Sequence, residues 1–186
     1  MYNMRRQIIV IFFLFTSNFL SAQNNLNSDT RKFIENADIT RIDRDWNIVA
    51  NLTSGTGETV SFFPVEIADL KTGQKVKALQ VDMTVDCHGF TYSKSSWVDL
   101  NEISEFIIFV ETYIIPNLSK KAEKKKSITY VFKSKEIIIS FIIGDFNNTI
   151  SVYLKDKGVV DEQCYFWTKT QISKSPELLS VLQSLK

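Results

Sequence analysis

The chain has 186 residues, with 22 Lys and Arg against 21 Asp and Glu. This even balance argues against a strongly basic nucleic-acid binder and against a protein with a strongly acidic tail. Six Gly and three Pro exclude a low-complexity chain. We therefore expect a folded domain, with no nucleic acid among its partners.

The first 22 residues have the pattern of a signal peptide. Arg5 and Arg6 precede an unbroken apolar run over residues 8–15, and the small residues Ser21 and Ala22 follow. A basic, then apolar, then small-residue order is typical of secretory signals. The apolar stretch is also shorter than the roughly 20 residues that span a bilayer, which disfavours the alternative of a retained anchor helix. We predict cleavage after Ala22 and a periplasmic or secreted location.

The two cysteines of the chain are Cys87 and Cys164, and both follow the predicted cleavage site. An even number of cysteines in an oxidising compartment favours a disulfide. The alternative is two separate buried thiols, because Cys is often a core residue.

The domain organisation is simple. Residues 23–44 begin with an Asn-rich stretch and are predicted to form a flexible leader with a short helix at 30–37. Residues 45–186 are predicted to form a single domain. Pro64 lies inside one predicted strand and indicates an edge strand or a bulge there. The predicted strands are 46–53, 59–70, 75–87, 91–98, 127–133, 136–144, 149–155 and 159–170.

We predict one helix between the first four and the last four strands, and a second helix after the last strand. Asp99 stands three residues before Glu102, the spacing of a capping box, and begins a predicted helix over about 99–116. Ser175 is the predicted N-cap of a second helix over about 175–185. We therefore predict an α+β fold with antiparallel sheet, either curled or built as a duplicated ββββα unit.

The strand at 136–144 is the most apolar of the chain. Apolar residues occupy both of its faces, which predicts that both faces are covered. Three arrangements would cover them: a barrel or sandwich core, a subunit interface, or a cavity for an apolar ligand.

The segment Trp97–Ile103, with the sequence WVDLNEI, carries a resemblance. It is similar to the aromatic-Val/Ile-Asp-x-x-Glu-Ile segment of a family of small exported bacterial proteins. The resemblance extends over roughly residues 75–185. It implies an exported α+β domain with a strand meander and a Leu-rich C-terminal helix. The family has no assigned activity, so the resemblance implies no catalytic residues.

Polar residues on the strand at 75–87 form one candidate binding surface. Asp82, Asp86 and His88 alternate with apolar residues and are predicted to share a solvated face. Residues two apart on a strand are nearly 7 Å apart, so one strand cannot form a compact metal site and we predict none. Cys87 and His88 are predicted to face opposite sides of the strand, which argues against a catalytic dyad.

A lysine-rich run forms a second candidate surface. Five lysines within seven residues suit an anionic lipid or polymer, whereas the simpler interpretation is a solvated loop after a helix. These residues are Lys120, Lys121, Lys124, Lys125 and Lys126.

These observations favour a non-enzymatic binding or interaction module of the bacterial envelope. Its partner would be a protein or another envelope component, self-association is one option, and no cofactor is expected. One alternative is a carrier of a lipid or apolar ligand in a sheet cavity. Another is a carboxylate-dependent envelope hydrolase, since 21 acids are present but no spacing singles out a pair.

Overall fold

The computed structural model describes residues 27–155 and 164–186. In these two ranges the chain forms two antiparallel sheets and three α-helices, which confirms the predicted α+β class. The helices are α1 (Asp29–Asn36), α2 (Leu100–Ile108) and α3 (Ser175–Gln183). The strands are β1 (Thr40–Arg44), β2 (Ala50–Thr53), β3 (Thr59–Asp69), β4 (Lys75–Cys87), β5 (Phe90–Asp99), β6 (Ile128–Lys133), β7 (Ile137–Ile143), β8 (Thr149–Leu154) and β9 (Phe166–Thr168).

Each sheet contains a meander of four consecutive strands, β2–β5 in the first and β6–β9 in the second, and a helix follows each meander; β1 is a fifth strand of the first sheet. The first sheet has the order β1-β3-β4-β5, and β2 also pairs with β3. The second sheet has the order β6-β7-β8-β9. Helix α2 follows the first sheet and α3 follows the second. The predicted order of strands, helix, strands and helix is therefore present.

Pro64 explains how β1 and β2 share one neighbour. On that side of β3, β2 pairs with Thr59–Phe62 and β1 pairs with Val65–Asp69. Pro64 lies in the gap between the two partners, where its missing N–H leaves no ladder hydrogen bond unmade. The predicted edge strand is wrong, because β3 is central and has β4 along its other side.

Three predictions about single elements differ from the structure. Strand β1 was not predicted and lies within the segment expected to be a leader, after the confirmed short helix α1. Of the predicted strand at 159–170, residues 159–163 lie outside the described residues, and the described part contains β9. Ser175 is not the N-cap of α3 but its first residue, and its hydroxyl donates to the Ile172 carbonyl at 2.6 Å.

The end of α2 widens its buried surface. The helix continues as a π-helix over Phe109–Ile114 and then as a 3₁₀ turn over Ile115–Asn117 that contains Pro116. A π-turn has more residues per turn than an α-helix, so a broader set of apolar side chains reaches the core. Phe109, Val110 and Ile114 are all buried there.

One core joins the inner faces of both sheets to α2 and α3. Phe106 of α2 lies at its centre. Its ring stacks on that of Phe132 from β6 at 4.5 Å and meets Phe62 from β3 edge-on at 6.4 Å. Helix α2 therefore lies against the inner face of each sheet.

A smaller apolar cluster covers part of the outer face of the first sheet. Phe33 and Ile34 of α1 pack on a patch that includes Phe63, Ile67 and Trp97. This patch is buried, and α1 is therefore the cover of that face.

Among the described residues only one face of the apolar strand is fully covered, contrary to the prediction. The inward side chains of β7 are buried, but Ile138, Ser140 and Ile142 on its other face are only half buried. Their partial shielding follows from the position of β7 between β6 and β8, whose side chains stand beside them.

None of the helices in the described parts of the chain combines the length and the apolar character that crossing a bilayer requires.

Candidate functional site

The candidate carboxylates on β4 form a polar ladder with β5. Asp82 Oδ1 accepts hydrogen bonds from Ser95 Oγ at 2.6 Å and Gln80 Nε2 at 2.7 Å. Asp86 Oδ1 accepts from Thr91 Oγ1 at 2.6 Å. Each carboxylate therefore binds groups of its own sheet, in separate rows of the ladder.

His88 is not part of that ladder. It follows the end of β4 in a two-residue hairpin loop, where His88 has φ 51° and Gly89 has φ 81°. Two successive residues with positive φ are typical of the type I′ turn that joins tightly paired strands. The structure therefore brings Asp82, Asp86 and His88 into no common site.

The turn places His88 beside the disulfide instead. Cys87 and Cys164 are bonded, with their Cα atoms 5.6 Å apart, as predicted. Ligand atoms of Cys87, His88 and Cys164 lie within 4.8 Å of one another. The sulfurs are bonded to each other and are not thiolates, so this trio lacks the ligands of a zinc site. The bond ties the end of β4 to the residue two positions before β9, and it fits an oxidising, exported location.

The five candidate lysines are exposed on the loop between α2 and β6. Asn148 fixes this loop, because its side-chain amide donates to the carbonyls of Leu118 and Lys120, both at 2.9 Å. The Ala122 N–H also donates to the Gly144 carbonyl at 3.0 Å. The loop therefore presents its positive charge at the end of the second sheet where β7 ends.

A partly buried ion cluster, which the sequence did not indicate, joins α1 to both sheets. It consists of Arg31, Asp99, Glu102, Lys135 and Glu136. Glu136 precedes β7 and is only 2% exposed.

Glu136 uses both of its carboxylate oxygens. Oε1 accepts from the backbone N–H and hydroxyl of Ser28 and from Arg31 Nε, at 2.6–2.9 Å. Oε2 accepts from Arg31 Nη2 at 2.7 Å and from the Trp97 N–H at 3.0 Å. One carboxylate thus binds the start of α1 and the edge of β5 together.

Asp99 binds the same helix end. It accepts from the backbone N–H groups of Asp29 and Thr30 at 2.8 and 2.9 Å, and from Lys135 Nζ at 2.9 Å. These are orphan donors of the first turn of α1, and the positive end of the helix dipole favours a carboxylate there. Asp99 also begins α2 in the predicted capping box, with its own N–H donating to Glu102 Oε2 at 3.2 Å.

The pKa values of this cluster move in different directions. Burial acts to raise the pKa of Asp99, but hydrogen bonds from Thr30, Asp29 and Lys135 outweigh it and lower that pKa. The pKa of Glu102 is raised, chiefly by burial. The pKa of Lys135 is raised, chiefly by its hydrogen bond to Asp29.

This arrangement suits a fastening role better than catalysis. The oxygens of Glu136 and Asp99 are occupied by donors of the chain itself, so neither carboxylate is presented to a substrate. The sequence signal was a single acid directly before a strongly apolar strand. Its partner Arg31 lies 105 residues earlier, and no local pattern connects the two.

Two surface grooves border the first sheet. One, of about 580 Å³, lies between α1 and β4 and is lined in part by Asp29, Lys75 and Asp99. The other, of about 340 Å³, is lined in part by Arg44 and Glu66. Both have charged walls and neither enters the core between the sheets, so they give no support to the apolar-carrier alternative.

The outer face of the second sheet is a broad surface that no described helix covers; we call it the open face. On β9 and its flanks the open face is aromatic, with Tyr165 and Trp167 each 43% exposed. Between the larger side chains stand hydroxyl groups. The open face comprises Thr129, Val131, Lys133, Ile138, Ser140, Ile142, Thr149, Ser151, Tyr153, Tyr165, Trp167 and Lys169.

Rows across the strands define the open face. Val131, Ser140, Ser151 and Trp167 are register partners from β6 to β9. Lys169 Nζ lies 5.4 Å from the centroid of the Trp167 ring, within cation–π range. The face therefore combines a flat aromatic surface with hydroxyl donors and cations.

No protein-family model matches this sequence, and no curated protein matches it significantly.

Proposed function

We propose that this protein is an exported, non-enzymatic binding module and that the open face is its binding surface. The observation that carries the proposal is the exposure of Trp167 and Tyr165, two residues apart, on a sheet face that no described helix covers. Large aromatic side chains with polar tips are the residue types that dominate binding surfaces.

The disulfide and the pattern of residues 1–22 support export to the periplasm or beyond. We expect an expressing bacterium to release a chain that begins at Gln23 and is lighter by two hydrogens than the reduced form. Intact-mass measurement of the processed protein tests both features. A chain that keeps residues 1–22 in the membrane fraction would contradict the export part of the proposal.

The binding part is tested by co-sedimentation with three envelope materials: peptidoglycan sacculi, lipopolysaccharide, and vesicles of phosphatidylglycerol. We expect the wild type to sediment with at least one of them and Trp167→Ala to lose most of that binding. Trp46→Ala is the matched control, because Trp46 is 68% exposed but lies beside Phe63 of the first sheet.

Two results would contradict this part of the proposal. One is that none of the three materials carries the wild-type protein down. The other is that Trp46→Ala lowers binding as much as Trp167→Ala.

A further inference from the structure

The open face has a charge of one sign. Among the residues that the structure describes, Lys133 and Lys169 are its charged members, and none carries a carboxylate. The lysine-rich loop lies at the end of the second sheet where β7 ends, the same end as Lys169. A partner that pairs with this surface must carry negative charge.

The distance between the two lysines indicates how the negative charge of the partner is distributed. Lys133 ends β6 and Lys169 follows β9, so the two lie three strands, or about 14 Å, apart across the sheet and also at opposite ends of it. A single carboxylate or phosphate group cannot contact both. A chain with repeated negative charges can cross the face and meet each lysine in turn.

The surface between the lysines selects the rest of the partner. Tyr165 directly precedes β9 and Trp167 lies two residues later, so in an extended chain their Cα atoms are about 7 Å apart. Flat rings of this kind pack against the C–H face of a sugar ring, and the hydroxyls of Ser140 and Ser151 can hydrogen-bond to sugar hydroxyls. This hydroxyl-lined centre is unsuited to acyl chains, because it would bury polar groups without partners.

We propose that the open face binds an acidic polysaccharide, whose sugar rings stack on Tyr165 and Trp167 and whose carboxylates pair with Lys133 and Lys169. This inference rests on the proposed function and adds the class of ligand.

The test is isothermal titration calorimetry of the processed protein with polygalacturonate, a soluble polyuronate, and with neutral dextran. We expect binding to polygalacturonate that weakens as salt rises, because salt screens the exposed ion pairs. We expect no measurable binding to dextran. Equal binding to both polymers would overturn the charge pairing.

Variants locate the binding. Trp167→Ala is expected to weaken polygalacturonate binding by about tenfold or more, the loss typical of a central aromatic contact. Lys133→Gln is expected to weaken it by about threefold at low salt. Trp46→Ala and Lys77→Gln, which lie outside the open face, are the matched controls and should stay within about twofold of the wild type. Circular dichroism checks that each variant is folded. Losses in the controls equal to those in the face variants would overturn the assignment.

Other occupants of the face give other results. Tighter binding to phosphatidylglycerol vesicles than to polygalacturonate would replace the polysaccharide with a lipid surface. A dimer in sedimentation velocity that Trp167→Ala abolishes would make the face a self-interface. If polygalacturonate does not bind but Trp167 is still needed for co-sedimentation with sacculi, the ligand class is overturned and the proposed function stands. If Trp167→Ala changes neither measurement, both fail.

Discussion

Both sheets contain a meander of four consecutive strands, yet their outer faces differ. Helix α1 covers the apolar patch on the first sheet, and Trp97 within it is 6% exposed. The second sheet has no such cover among the described residues, and Trp167 is 43% exposed. On the first sheet, Glu136 and Asp99 hold the covering helix in place. On the open face, hydroxyls and lysines make the surface compatible with water. The same type of residue is therefore buried under a helix on one sheet and exposed on the other.

The largest expected contrast is between the two tryptophans. Trp97→Ala should lower the free energy of unfolding by about 3–5 kcal/mol, because it leaves a cavity beneath α1. Trp167→Ala should lower it by less than about 1 kcal/mol, since its ring is half in water. Urea unfolding followed by circular dichroism measures both. Comparable losses would mean that the open face is part of the core.

A smaller effect on stability is expected when Glu136, which holds α1 in place, is replaced. Glu136→Ala should lower the free energy of unfolding by about 3 kcal/mol, because it leaves Arg31 and the Trp97 N–H without their buried partner. Glu123→Ala, which breaks the exposed ion pair with Lys126, is the control and should change it by less than about 0.5 kcal/mol.

Hydrogen exchange tests whether Glu136 holds α1 in place. In Glu136→Ala the amide protons of α1 should exchange faster, while those of β7 at the centre of the second sheet should change less. An α1 that stays fully protected in this variant would show that Glu136 does not hold the helix.

The smallest effect is a pH dependence from Asp99. Its pKa is lowered in the folded protein, so its contribution to stability is present above its ordinary pKa of about 3.9. That contribution is lost as the pH falls through the lowered value. Below pH 4 the free energy of unfolding should therefore fall more steeply in the wild type than in Asp99→Asn.

The pKa of Glu102 is shifted in the opposite direction, so its effect on the pH dependence of stability must be separated from that of Asp99. Its raised pKa means that the folded protein disfavours its charged form, and this penalty disappears as the pH falls through the raised value. Glu102→Gln should remove that gain while leaving the loss at lower pH. Parallel curves for the wild type and Asp99→Asn would contradict the role of Asp99.

The parts of the fold with local patterns were predictable. Strand β4 has the predicted bounds 75–87, because strict alternation marks a strand with one buried face. The capping box of Asp99 and Glu102 and the disulfide were also predicted and are present. The position of Pro64 was misjudged, because a gap between two partner strands cannot be inferred from one strand.

The candidate sites were harder to predict for the same reason. Glu136 meets Ser28 and Arg31 across more than 100 residues, and neither segment has a motif that points to the other. The open face requires the order β6-β7-β8-β9, which places Trp167 beside Ser151. Sequence alternation indicated which residues share a face of one strand, but not whether another layer covers that face.

The contacts that hold α1 also make one half of the fold depend on the other. The helix comes early in the chain, but the carboxylate that holds it is Glu136, which is made 39 residues after Trp97. Until the segment around Glu136 has taken its place, the first sheet can pair its strands while its apolar outer patch lacks a secured cover. The closing of this patch therefore depends on a residue of the second half of the chain.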